Sequence, residues 1–110
     1  MMDDRLPAVA DQLLLIEREL RALSLWGEQP PSEEALASQE PFCVDTLELE
    51  EWLQWIFLPR MKLIIETGAQ LPRASGIRAI AEMVYVDEGE HMHALFEALG
   101  EFDRLIGEAP

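Results

Sequence analysis

The chain has 110 residues, 49% of them apolar, which is enough for one core but not two, so a single domain over residues 1–110 is expected. Twenty-two acidic side chains against eight basic ones leave a formal charge of −14, a field that repels phosphate backbones and argues against direct nucleic-acid binding. One cysteine, Cys43, excludes an internal disulfide and suits a reducing compartment.

The acidic start, Met1-Met2-Asp3-Asp4, lacks the basic region and apolar run of a secretory signal. The most apolar stretch is interrupted by Gln54, Pro59, Arg60 and Lys62, too broken for a membrane span. A cytoplasmic protein is the simplest expectation.

In the first helix, Leu6, Val9, Leu13, Ile16, Leu20 and Leu23 step by three and four, the seam of an amphipathic helix. Asp3 or Asp4 is the expected cap, Pro7 is tolerable in the first turn, and Gly27 is the expected stop after Trp26. Trp26 reads as a lid over the end of the helices. From Glu28 to Asp45 the periodicity fails, and Pro30, Pro31 and Pro41 forbid a continuous helix. Ser32 can cap a short turn over Glu33 to Leu36, and Phe42, Cys43 and Val44 form an apolar knot expected to dock on the core. Connections this long are often functional or packed by their own side chains.

The second helix is expected after Asp45, with Asp45 and Glu48 as a capping box. Steps of about 100° per residue put Trp52, Leu53, Ile56, Phe57, Leu63 and Ile64 on an inward arc that also holds Arg60. Trp55, Leu58, Met61 and Ile65 fall outside it, beside Gln54 and Lys62. Pro59 predicts a kink, and Gly68 ends the helix. A third helix presents Ile77, Ile80, Ala81 and Val84, with Met83-Val84-Tyr85-Val86 as its end. Asp87-Glu88-Gly89 divides it from a fourth, capped by Asp87, with Met92, Leu95, Phe96, Leu99, Phe102 and Ile106 inward and Glu97, Glu101 and Asp103 outward. With no alternating strand pattern, the expectation is an all-α, up-and-down four-helix bundle with a long loop between helices one and two.

Candidate chemistry is sparse. Glu88-Gly89-Glu90-His91 has the Glu-x-x-His spacing of di-iron bundles, but a second copy is missing. His91 is expected at the core edge, making a helix-end hydrogen bond, and His93 in solvent. Cys43 reads as a small buried residue. No phosphate loop, nucleophile elbow or paired-cysteine motif occurs, so no catalytic residue, metal ligand or cofactor is assigned. A small enzyme using Glu88, His91 and Cys43 stands as an alternative.

Four of the eight bases, Arg60, Lys62, Arg73 and Arg78, lie in one stretch, where a helix C-terminus favours cations. Arg60 within an apolar arc needs an ion pair, or else it serves as an anchor for a partner's carboxylate or phosphate. If the other helices cover one face of the second helix, Trp55, Leu58, Met61 and Ile65 form an exposed patch, a common mark of an interface. The partner-binding candidates are Phe42, Trp52, Trp55, Arg60 and Met61, and the expected partner is another protein or a second copy, with no membrane and no direct nucleic-acid contact.

The run Ala35 to Leu47, followed by Glu51-Trp52-Leu53-Gln54-Trp55 and Pro59-Arg60-Met61, resembles the YqcC-like family of small bacterial proteins. The resemblance extends to the Pro30-Pro31 pair and the leucine-rich first helix. It implies an up-and-down helical bundle and no settled activity. Members are sometimes labelled with tRNA pseudouridine synthase C by association, and the resemblance supplies no catalytic residue. The reading is a non-enzymatic interaction protein, one form of which is an accessory to an RNA-modifying enzyme. An acidic mimic of nucleic acid, suggested by the −14 charge, is a further alternative.

Overall fold

A computed structural model describes residues 3–108; Met1 and Met2, used in reading the N-terminus, lie outside the described residues. Among these the chain is all-helical, with no strand. The helices are α1 (Leu6–Ala22), α2 (Glu33–Leu36), α3 (Leu49–Trp52), α4 (Leu58–Thr67), α5 (Ile77–Val84) and α6 (His93–Gly107). The apolar seam of α1 is buried as its spacing dictates, with Val9, Ile16 and Leu20 fully inside. It packs along α6 and against α4, while α5 lies on α6. No helix among the described residues is long and apolar enough to cross a membrane.

Helix ends differ from expectation in several places, through local caps at some and through tertiary partners at others. Asp3 does not cap α1; its carboxylate accepts from the Arg5 backbone N–H (2.9 Å) and guanidinium. Arg5 also donates to the Leu105 and Ile106 carbonyls, closing the end of α6. The stop of α1 is Ser24 rather than Gly27. Ser24 takes φ 61°, and Leu25 N–H reaches back to the Leu20 carbonyl at 2.9 Å, a Schellman closure. Gly68, at φ 68°, ends α4 in the same way, with Ala69 N–H on the Ile64 carbonyl.

The expected Asp45–Glu48 box is replaced by Glu48 and Glu51, the Glu48 N–H donating to Glu51 Oε1 at 2.9 Å. Asp87 does not cap α6, which starts only at His93; residues 86–88 form a separate 3₁₀ turn. Asp103, expected simply to face solvent, caps α5 from α6. Its two carboxylate oxygens accept from the Ile77 and Arg78 N–H groups (3.1 and 2.9 Å) and from the Ser75 hydroxyl.

The largest departure lies between α3 and α4. Residues Leu53–Phe57 form a π turn, with Leu58 N–H donating to the carbonyl five residues back, Leu53. Pro59 follows immediately; it has no N–H to donate, and widening the turn before it is a recognised way to accommodate proline. One extra residue per turn rotates everything after it by about 100°. Hence Leu58 and Met61, expected outside, are 1% and 2% exposed, whereas Leu63, expected inside, is 59% exposed and Arg60 lies on the surface. Gln54 is buried as well. Its side-chain amide accepts from Gly27 N–H (2.8 Å) and donates to the Gly27 carbonyl (2.7 Å), clasping the chain beyond α1 to the π turn.

Candidate functional site

The segment after α2 is built by short polar links. Ser32 Oγ accepts from Ala35 N–H, Thr46 donates its hydroxyl to the Ala35 carbonyl (2.7 Å), and the Ser38 hydroxyl donates to Asp45. Together with the bond from Cys43 N–H to the Glu40 carbonyl (2.9 Å), they hold Phe42 and Cys43 at φ 57° and 50°. Two consecutive non-glycine residues in the left-handed region cost about 1–2 kcal/mol each. The conformation buries Cys43 and leaves Val44 72% exposed, so the expected apolar knot docks only in part.

It also aims the Phe42 ring edge-on at Trp52, with centroids 4.8 Å apart. Trp52 stacks on Phe57 at 5.4 Å, and Phe57 meets Phe102 of α6 edge-on at 4.9 Å. A continuous aromatic file therefore runs from the surface turn into the core, and such contacts contribute about 0.5–1.5 kcal/mol per pair beyond burial.

Phe42 is the ridge between two cavities. One, of about 280 Å³, has walls of Phe42, Trp52, Phe57 and Phe102, with Met61, Arg60, Ser75 and Gly76 also lining it. The other, of about 370 Å³, lies between Phe42, Val44 and Leu47 on one bank and Ile80 and Val84 of α5 on the other. Val84 of that bank is 48% exposed, and Met83 (73%) and Val86 (70%), next to it in the chain, are exposed as well. The Tyr85 hydroxyl, between them in sequence but facing inward, donates to Glu50 Oε1 at 2.7 Å; burial, and then Glu50, push its pKa far above the ordinary phenol value.

Charge distinguishes the Trp52 cavity from the other depressions. Six of the eight Lys and Arg side chains form ion pairs: Arg5 with Asp3, Arg18 with Glu19, Arg21 and Lys62 with Glu17, Arg78 with Glu82, and Arg104 with Glu101. Arg60 and Arg73 form none among the described residues. Arg60 lines the Trp52 cavity, and Arg73 stands between two of its lining residues, Pro72 and Ala74. A broader depression of about 900 Å³ between α1, α5 and α6 is instead lined by paired charges, Arg18, Arg78 and Arg104 with their glutamates.

Of the residues singled out from sequence, Phe42, Trp52, Arg60 and Met61 therefore meet at one cavity. Met61 belongs to its buried lining rather than to an exposed patch. Trp55 does not join them; it faces a separate hollow of about 600 Å³ shared with Trp26, Gln54 and Lys62. Trp26 packs half-buried against the core, with the Arg21 guanidinium 4.4 Å above its ring. Val84, expected on the inward side of the third helix, is 48% exposed, Val44 is exposed likewise, and Met83 and Val86, given no surface role by the sequence reading, are exposed too. Their signal was present, since Ala81 and Tyr85 share an inward face that leaves Met83 and Val86 behind it. His91 is exposed rather than at the core edge, His93 contacts Glu97 at 3.1 Å, and Glu88 lies exposed in the 3₁₀ turn. Among the described residues no group of three His, Cys, Asp or Glu is arranged to hold a metal ion.

Comparison with known proteins adds the family. The model of the family DUF446, described as tRNA pseudouridine synthase C, matches residues 8–105. An uncharacterized protein of Haemophilus influenzae is 46% identical over 63 residues, 57% of this chain and 59% of that one. A tRNA pseudouridine synthase C of Pectobacterium carotovorum is 50% identical over 66 residues, 60% of this chain but 18% of the longer protein. The match to these two relatives thus spans less than two thirds of the length of either. The uncharacterized protein YqcC of Escherichia coli is 30% identical over 97 residues, 88% of this chain and 89% of its own. The solution NMR structure of E. coli YqcC matches with a TM-score of 0.84 at 28% identity, covering 98% of this chain and 92% of that one. With a family model spanning nearly all of its helices and a relative aligned almost end to end, the chain belongs to the YqcC-like DUF446 family.

Proposed function

We propose that this protein is a non-enzymatic interaction module, an up-and-down four-helix bundle with a long first connection, which docks another cytoplasmic protein across the Phe42 ridge. The observation that carries this reading is the set of exposed apolar side chains, Val44 and Val84 lining the cavity beside Phe42, with Met83 and Val86 next to Val84 in the chain. Apolar groups gathered in this way, beside an aromatic pocket and an arginine, have the make-up of an interface hot spot.

The proposed partner is a tRNA pseudouridine synthase. In the Pectobacterium protein of that name, the matching stretch occupies less than a fifth of the chain, leaving most of the polypeptide for other work. An accessory role in which the two parts act together is consistent with that arrangement. The −14 charge would speed encounter with the basic surface expected of an RNA-binding enzyme, since complementary fields chiefly raise association rates.

The test is co-purification of the tagged chain with a co-expressed pseudouridine synthase. The V44E/M83E variant should lose the partner while its far-UV circular dichroism is unchanged. Capture by the folded variant at the level of the parent would rule out this face. Capture that survives in low salt but vanishes as salt rises would instead favour the acidic-mimic reading, because screening acts on exposed charges and not on apolar contacts.

A further inference from the structure

Building on the interface reading, we infer that the Trp52 cavity receives a partner side chain: one aromatic or large aliphatic group next to a carboxylate, with Arg60 and Arg73 gripping the carboxylate. In a chain with almost three carboxylates per cation, most bases are neutralised in place. Of the two without a partner among the described residues, Arg60 lines the aromatic cavity and Arg73 is the chain neighbour of two of its lining residues, Pro72 and Ala74. The carboxylate hydrogen-bonded to the cavity wall, Asp103, accepts from Ser75 and Ile77 and is engaged in capping α5, which leaves the arginines as the charges there without an ion-pair partner among the described residues. Over separations longer than a Debye length of about 8 Å the acidic remainder is screened, so the nearest charges decide what sits there.

The volume decides the rest. At about 280 Å³ the cavity is at or below the small end of metabolite pockets, which run from roughly 300 to 1,000 Å³; it suits a single large side chain. Its apolar walls, Phe42, Trp52, Phe57 and Phe102, offer ring faces and edges with Met61 alongside. Phe42 makes the cavity continuous with the exposed Val44 and Val84 surface, as expected of the anchoring pocket within a larger protein interface. Guanidinium groups bind carboxylates through paired hydrogen bonds, so the arginines would fix the register of a partner whose other surface is basic.

The experiment is a ¹H–¹⁵N NMR titration of the intact protein with the capped tetrapeptide Gly-Phe-Asp-Gly. Controls are Gly-Phe-Asn-Gly, Gly-Ala-Asp-Gly, phenylacetate and uridine 5′-monophosphate. Saturable shifts are expected at the Trp52 indole N–H and at Arg60, with the Asn and Ala peptides each weaker by about threefold to tenfold. In the R60Q/R73Q variant the Asp and Asn peptides should bind alike. The V44E/M83E variant, which tests the wider face, should still bind the peptide normally.

Equal binding of the Asp and Asn peptides by the parent would overturn the inference. So would the absence of saturable change at Trp52, or tighter binding of phenylacetate or the nucleotide than of the peptide. If R60Q/R73Q captures the synthase like the parent while V44E/M83E does not, this inference fails and the interface reading stands.

Discussion

The Gln54 clasp gives the sharpest test of how this chain chooses its faces. Gln54 is 6% exposed and makes two hydrogen bonds, both to Gly27, at 2.8 and 2.7 Å. Gln54→Met keeps the volume and removes both. Freed backbone groups that stay dry would cost about 1–3 kcal/mol each, whereas groups that water can reach lose only the net worth of the bond, about 1 kcal/mol each. Gly27 is exposed, so water can reach them, and a loss of about 1–2 kcal/mol is expected. For a chain of this size that lowers Tm by roughly 5–10 °C.

Gln54→Glu is the informative companion. Its carboxylate can still accept from Gly27 N–H but turns a second acceptor toward the Gly27 carbonyl, in a nearly dry site. Burial raises the folded-state pKa above the unfolded value, so the folded state binds the proton more tightly and the stability deficit shrinks as pH falls. Urea denaturation of the three proteins at two pH values measures this. A Met variant as stable as the parent, or a Glu variant whose deficit relative to Met is the same at both pH values, would refute the clasp.

Other outcomes follow from the same contacts. Ser24→Gly should stabilise the protein by about 0.5–1 kcal/mol, because Ser24 sits at φ 61° where glycine carries no steric penalty; thermal unfolding reads it, and a drop in Tm would contradict the Schellman assignment. Asp103→Ala should cost about 1–2 kcal/mol by uncapping α5, and hydrogen exchange should accelerate at the Ile77 and Arg78 amides ahead of the α6 amides. On the acid side, the Arg5 hydrogen bonds hold Asp3 down at about 2. Burial would raise Glu17, but hydrogen bonds from Lys62 and Arg21 outweigh it and leave its pKa lowered. For such groups the unfolded state binds protons first, so their support is complete above about pH 5 and fades as pH falls toward 2. Glu17→Gln should flatten the upper part of that acid limb; an unchanged limb would mean that the Glu17 contacts to α1 and α4 are not maintained in solution.

What could be read from sequence was whatever depends on neighbours three or four places away. The seam from Leu6 to Leu20 and the face from Leu95 to Ile106 required only helical periodicity, and both are buried accordingly. The capped turn at Ser32 and the stop at Gly68 are likewise local, one a hydroxyl accepting from an amide three residues on, the other a left-handed residue at a helix end. Phe42, Trp52 and Arg60 could be nominated for a surface because a proline-rich connection and an over-apolar helix are visible in one dimension.

The assembly of those nominees was a tertiary decision. Pro59 announced a disturbance, but not that an extra residue would be taken up in the preceding π turn, and that one residue rotates Arg60 outward and Met61 inward. The bonds that accompany this register reach far along the chain: Gln54 to Gly27, 27 residues apart, Asp103 to the start of α5, and Arg5 to carbonyls 100 residues away. A helical wheel assumes a uniform turn and knows only near neighbours. Which side of residues 49–67 faces solvent depends on where the wheel slips, and long-range hydrogen bonds help to hold that slip in place.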